Sequence, residues 1–186
     1  MRIALILPDI KDTLGPGNRL VIWTQGCLKK CFNCETPEHQ DVNGGNELDI
    51  IKFLKETDLS KFDGVTISGG EPFIQNKELL EVVKYLSKYI EDICIYSGYQ
   101  YEELSKDPIN QQIFDKIAVL IDGEYIENQN LGEKLKGSAN QRIIVFKEKY
   151  REPYESLNKQ EREQVDIRIN SRVHARVGLK KKKEDQ

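Results

Sequence analysis

At 186 residues, with 32% charged and 38% hydrophobic residues, the chain has the composition of one soluble globular domain with room for a sizeable core. Its net charge of −3 gives no broad electrostatic argument for nucleic acid or a membrane surface as partner. The opening MRIALILPDIKD is an apolar run broken by Pro8 and Asp9, too short for a membrane span or a secretory signal. The expected compartment is therefore the cytoplasm, where thiols stay reduced.

In chain order, RIALIL (2–7) and RLVIW (19–23) read as strands. TLGPG between them is a turn-rich loop whose glycines tolerate positive φ. Residues 24–45 form a long loop that carries three of the four cysteines and ends in Gly44 and Gly45. Asn46 is placed to cap a helix over ELDIIKFLKET. GVTIS (64–68) is a further strand, followed by GGEP, and Asn76 is placed to cap a helix running to about Ile90. Leu79, Val82, Val83, Leu86 and Ile90 recur there with helical period on one face. DICIYS (92–97) is a strand, YEELSK one or two helical turns, and KIAVLID (116–122) and QRIIVFK (141–147) are strands. Strands alternating with helices predict an α/β fold with a mainly parallel sheet and right-handed crossovers. Its short apolar runs fit strands buried on both faces. In such folds ligands bind beyond the C-terminal strand ends. No internal repeat is present, and the tail LKKKKEDQ reads as a solvated, disordered end.

The chemistry is concentrated in GCLKKCFNC, where Cys27, Cys31 and Cys34 stand in C-x3-C-x2-C spacing. On residue chemistry alone three readings compete. His39 would complete a Cys3His zinc site, although structural zinc motifs usually come as two pairs. A redox C-x-x-C of Cys31 and Cys34 leaves Cys27 without a role. An iron–sulfur cluster usually takes four thiolates, and with three it keeps one iron free for another ligand. Cys94 lies at an apolar strand position and reads as an inert core cysteine. Downstream, ISGGEP (67–72) ends a strand with two glycines and a carboxylate. Glycines let a ligand approach the backbone, and a carboxylate holds an ammonium group by charge-assisted hydrogen bonds.

Together these two motifs resemble the radical S-adenosylmethionine (SAM) superfamily. The resemblance implies a partial (β/α) barrel and a [4Fe–4S] cluster on Cys27, Cys31 and Cys34. It also implies that SAM chelates the fourth iron, with Gly69, Gly70 and Glu71 at its amino group. The reduced cluster then cleaves SAM to methionine and a 5′-deoxyadenosyl radical. GPGNRLVIWTQGC, YSGYQYEEL, LIDGEYIENQN and KGSANQRII further resemble, in order, segments of activating enzymes for glycyl radical proteins, in particular those serving anaerobic ribonucleotide reductase. On that resemblance Ser97, Gly98 and Asp122 lie at SAM, against an ordinary turn and a helix or loop cap on their own chemistry. Asn140, Gln141 and Arg142 face SAM or the partner, against a plain surface reading. Trp23 and Tyr99 are pocket or core aromatics, and His39 is a loop histidine near the cluster mouth. The partner implied is a glycyl radical enzyme such as class III ribonucleotide reductase, with a flavodoxin or ferredoxin-type reductant. Residues 1–147 form the core, and 148–186 an extension that matches no part of the pattern. The sequence departs from the superfamily's usual pattern at Asn33, where an aromatic commonly precedes the third cysteine.

Overall fold

A computed structural model describes residues 1–162, 165–168 and 174–177. The first strands, β1 (Arg2–Lys11) and β2 (Asn18–Thr24), form an antiparallel hairpin, and a short β3 (Asn46–Glu47) pairs with β1. After α1 (Ile50–Glu56) come β4 (Gly64–Gly69), α2 (Asn76–Leu86), β5 (Ile93–Ser97), α3 (Tyr101–Leu104), α4 (Pro108–Phe114) and β6 (Val119–Asp122). The strand β7 (Arg142–Val145) and helix α5 (Arg151–Asn158) follow. Finally β8 (Val165–Arg168) and β9 (His174–Val177) pair with each other.

The main sheet has seven strands in the order β3-β1-β2-β4-β5-β6-β7 and is open. Its centre, β2, β4, β5 and β6, is parallel, while β1, β3 and β7 join antiparallel. The expected mainly parallel sheet is present in these four central strands, and the strands added at its two sides are antiparallel. The β1–β2 connection is too short for a crossover and can only form a hairpin. Between β6 and β7 the described chain has only a short 3-10 turn. The four parallel strands end level, at Thr24, Gly69, Ser97 and Asp122.

One face of the sheet is closed by helices. Ile22, Ile67, Ile95 and Leu120 meet Leu54, Leu79, Val83, Leu86 and Phe114 in the largest core cluster. The other face carries Val21 and Trp23 at one side and Cys94, Val119 and Ile121 at the other. Cys94 is fully buried, as expected. The Arg19 side chain is fully buried on this second face near the N-terminal strand ends, 2.7 Å from Asp92 and 2.7 Å from the Thr66 hydroxyl.

Several helix boundaries differ from the sequence expectation. Asn46 is not the cap of α1; it pairs with Ile3 in the sheet, and the Asp49 carboxylate accepts from Lys52 N–H instead. Asn76 likewise does not cap α2. Its amide donates to Asp107 and Asn110, because a 3-10 turn at Pro72–Gln75 already starts the helical path. Helix α2 stops at Leu86, short of Ile90. Helix α4, absent from the expected elements, is capped by Asp107 and begins with Pro108, an arrangement favoured at a first turn.

Part of the extension beyond residue 147 belongs to the fold. Tyr154 of α5 is fully buried against Cys94, Val119 and Leu135, and its hydroxyl donates to Asp92 at 2.8 Å. The Asn158 carboxamide oxygen accepts from Leu135 and Lys136 N–H. The tail LKKKKEDQ lies outside the described residues.

Candidate metal and cofactor site

The loop carrying the cysteines leaves the end of β2 and is stitched back on itself. Gly26 N–H donates to His39 O at 2.8 Å and Cys27 N–H to Gln40 O at 3.0 Å. It is also stitched to the loop after β4, through Gly70 N–H to Thr24 O at 2.8 Å and Glu71 N–H to Gly26 O at 2.7 Å. These bonds explain both glycines. Gly69 has φ +106°, and a Cβ there would lie 2.4 Å from Thr24 N; one on Gly70 would lie 2.3 Å from Gly26 O. The glycines of GGEP therefore let the two loops meet backbone to backbone, a close approach that any side chain would block.

Cys27, Cys31, Cys34, Gly69, Gly70, Glu71, Ser97 and Gly98 all line one cavity beyond the C-terminal ends of the parallel strands. Among the described residues no three Cys, His, Asp or Glu side chains are grouped for a single metal ion. The three thiols do all line the cavity, and in an iron–sulfur cluster each thiolate serves its own iron. Burial pushes the Cys27 thiol up, and pushes Cys31 to about 11. A cationic centre is what converts such thiols to thiolates. The donor set, three free cysteines and one carboxylate on a shared cavity, fits a cluster with one iron left for a further ligand.

Glu71 is fully buried. Its Oε1 accepts from Phe73 N–H at 3.1 Å and from the Ser97 hydroxyl at 3.0 Å, and its Oε2 from Gly98 N–H at 2.8 Å. Burial lifts its carboxyl to about 7, against the pull of those three donors and of Lys29. Ser97 thus orients Glu71 while its oxygen accepts from Tyr99 N–H.

Asp122 is not brought to the cavity. It is fully buried, accepts from Tyr101 N–H at 2.7 Å at the start of α3, and pairs with Arg142, which also grips Glu102 through two bonds. Gln141 does line the cavity, with its side chain tied to Gly123 O, Gly137 N–H and Ser138 N–H. The Asn140 amide donates to Glu124 O. Trp23 lines the cavity; Tyr99 does not. His39 lies outside the lining, buried, with its Nδ1 lacking a hydrogen-bond partner among the described residues, and burial holds its pKa below the usual value.

Two cavity residues carry no sequence signal of their role. Lys29 sits between the first two cysteines, and its ammonium lies 4.3 Å from the centre of the Tyr99 ring. Arg162, beyond α5, also reaches the cavity; its guanidinium donates to Glu133 O at 2.9 Å and to Lys136 O. Nothing in the spacing or composition around Arg162 singles it out.

A family model described as the 4Fe-4S single cluster domain matches residues 13–144. The anaerobic ribonucleoside-triphosphate reductase-activating protein of Enterobacteria phage T4 is 31% identical over 69% of this chain and 85% of its own. The protein of the same name from Vibrio cholerae is 32% identical over 71% of this chain and 90% of its own. The pyruvate formate-lyase-activating enzyme of Staphylococcus epidermidis is 31% identical over 73% of this chain and 57% of its own. The chain belongs to the 4Fe-4S single cluster domain family and to the family of anaerobic ribonucleoside-triphosphate reductase-activating proteins.

Proposed function

We propose that this chain is a radical SAM activating enzyme that installs a glycyl radical on a partner enzyme, an anaerobic ribonucleotide reductase of class III. One observation carries the reading: three free thiols and a buried carboxylate share one cavity at the ends of four parallel strands. In it Cys27, Cys31 and Cys34 hold a [4Fe–4S] cluster, and Gly69, Gly70 and Glu71 receive the amino group of SAM. Ser97 orients Glu71, and Asp122 acts from behind the site by fixing the start of α3. The bound cluster and SAM supply the radical that removes a hydrogen atom from the partner's glycine. The protein's part is to bind and orient both groups and to exclude water.

The open sheet is read as a partial (β/α) barrel whose uncovered side meets the partner. Residues 1–147 are the catalytic core, and the extension from 148 supports it. A protein substrate suits this build, because the core is consumed by cofactor sites and a flexible glycine loop brings its own surroundings. Proximity then governs the hydrogen transfer. The electron comes from a flavodoxin or ferredoxin-type donor, in the cytoplasm.

The test is anaerobic reconstitution with iron and sulfide. The wild type should bind close to four irons, as the cluster stoichiometry requires, and form 5′-deoxyadenosine with SAM and dithionite. With the reductase present, a doublet glycyl-radical signal should appear in electron paramagnetic resonance. Alanine at Cys27, Cys31 or Cys34 should abolish all three readouts. Cys94→Ala should keep them and cost on the order of 1 kcal/mol in stability. Stoichiometric zinc without iron would refute the cofactor. No 5′-deoxyadenosine would leave a binding or electron-carrier module. 5′-Deoxyadenosine without a glycyl radical would point to a peptide or small-molecule substrate.

A further inference from the structure

The cavity holds a carboxylate and an ammonium side by side. Glu71 comes from the loop after β4, and Lys29 from the cysteine loop after β2; both line the cavity. Gly98 lies between them: a Cβ there would be 3.4 Å from Lys29 Cγ and 3.6 Å from Glu71 Oε2. Lys29 is three-quarters shielded, with its side chain 24% exposed. Its ammonium is steadied by the Tyr99 ring at 4.3 Å and stands 4.0 Å from Glu124 Oε2. Both contacts are longer than a charge-assisted hydrogen bond, which runs at about 2.7–2.9 Å. Among the described residues the ammonium is therefore held in place but not consumed by a short pairing. An α-amino acid group carries an ammonium and a carboxylate on one carbon. It needs an acceptor and a donor at adjacent points of one cavity, and these two residues both approach Gly98, which has no side chain to part them.

We propose that Lys29 is the residue that receives the carboxylate of the amino acid end of SAM, beside Glu71 at the ammonium. The assignment rests on the SAM reading above and adds a residue to it. Three features favour Lys29 as a binding residue over a solvated loop lysine: the shielding of its side chain, the aromatic face beneath its ammonium, and its place between Cys27 and Cys31 in the lining of the same cavity. An ammonium over an aromatic face is attracted by the ring, and its N–H donors that point away from the ring stay free for an anion.

The experiment measures binding, apart from turnover. Cluster-loaded protein is titrated anaerobically, without reductant, with SAM and separately with decarboxylated SAM, which has the ammonium but no carboxylate. The wild type should prefer SAM. Lys29→Met keeps the length of the stem and removes the charge. It should weaken SAM about ten- to hundred-fold, the range for a lost charged hydrogen bond, and leave the decarboxylated ligand unchanged. Lys29→Arg should restore most of the preference. Tyr99→Leu, which removes the ring under the ammonium and keeps an apolar side chain against the core, should reduce it by a few-fold.

Equal weakening of both ligands by Lys29→Met, or no weakening of either, overturns the proposal. If Lys29→Met fails to retain iron, Lys29→Arg and Tyr99→Leu decide: wild-type preference in Tyr99→Leu together with lost preference in Lys29→Arg overturns it too. Failure of the wild type to bind SAM at all would instead overturn the SAM reading. The two failures are thereby distinguishable.

Discussion

Glu71 is fully buried and takes three hydrogen bonds, yet burial still raises its carboxyl from the ordinary 4.5 to about 7. A native pKa above the unfolded one means that the native state holds more protons between the two values. Stability then falls as pH rises across that window. The cofactor-free chain should accordingly lose stability between pH 4.5 and about 7 through this group. Urea titrations at several pH values should show that slope in the wild type, and Glu71→Gln should remove Glu71's share of it. The titratable neighbours that feel Glu71 are Lys29, Cys27 and Tyr99, and the substitution leaves them in place. Identical slopes in the two proteins would mean that Glu71 ionises normally when buried. The same residue shows how far single positions were legible. A carboxylate after two glycines at a strand end announces a ligand, but the glycines' packing role becomes visible only when Gly26 O is found against Gly70. Lys29 lies in a run of two lysines, and no spacing rule separates a lysine that turns into a cavity from one that faces water.

Among the elements, strands were more legible than helix ends. GVTIS, DICIYS and KIAVLID are short apolar runs, and all lie in the parallel centre of the sheet. Helix α4 escaped because its seven residues present only Ile109, Ile113 and Phe114 as apolar positions, too few for a period to show. The cap of α1 was misplaced because Asn46 and Asp49 are both good caps, and pairing of Asn46 with β1 is a tertiary fact. Helix α5 was not expected at all, yet Tyr154 puts a hydroxyl on the Asp92 carboxylate beside Arg19. Tyr154→Phe keeps the ring and deletes that bond, and should cost about 1.5–3 kcal/mol, the range for hydrogen bonds to charged groups. Urea denaturation measures it. A change below about 0.5 kcal/mol, the scale of ordinary surface substitutions, would show that Arg19 alone satisfies Asp92 and that α5 contributes by apolar packing only.

At the scale of the molecule, the two ends of the parallel strands do different work. Near their N-terminal ends Arg19, Asp92, Thr66 and Tyr154 form a closed polar plug. Past their C-terminal ends lie the glycines, Glu71 and the cysteines around a cavity. Along β4, which joins the two, Thr66 of the plug stands three residues from Gly69 at the cavity, roughly 10 Å at about 3.3 Å per residue. That is the upper end of the range of about 7–10 Å beyond which substitutions usually act independently. Arg19→Met should strand the buried Asp92 carboxylate and cost about 3–5 kcal/mol, while the folded protein keeps its iron and its SAM affinity. Glu71→Gln should do the reverse at neutral pH, sparing stability and losing SAM affinity. In the double variant the stability changes should add within about 0.5 kcal/mol, and SAM affinity should match that of Glu71→Gln alone. A coupling above about 1 kcal/mol, or loss of SAM binding in Arg19→Met, would show that plug and cavity are mechanically linked through β4 and β5. Additivity would mean that the chain separates what keeps it folded from what lets it hold a reactive cofactor, with the sheet as a rigid spacer between them.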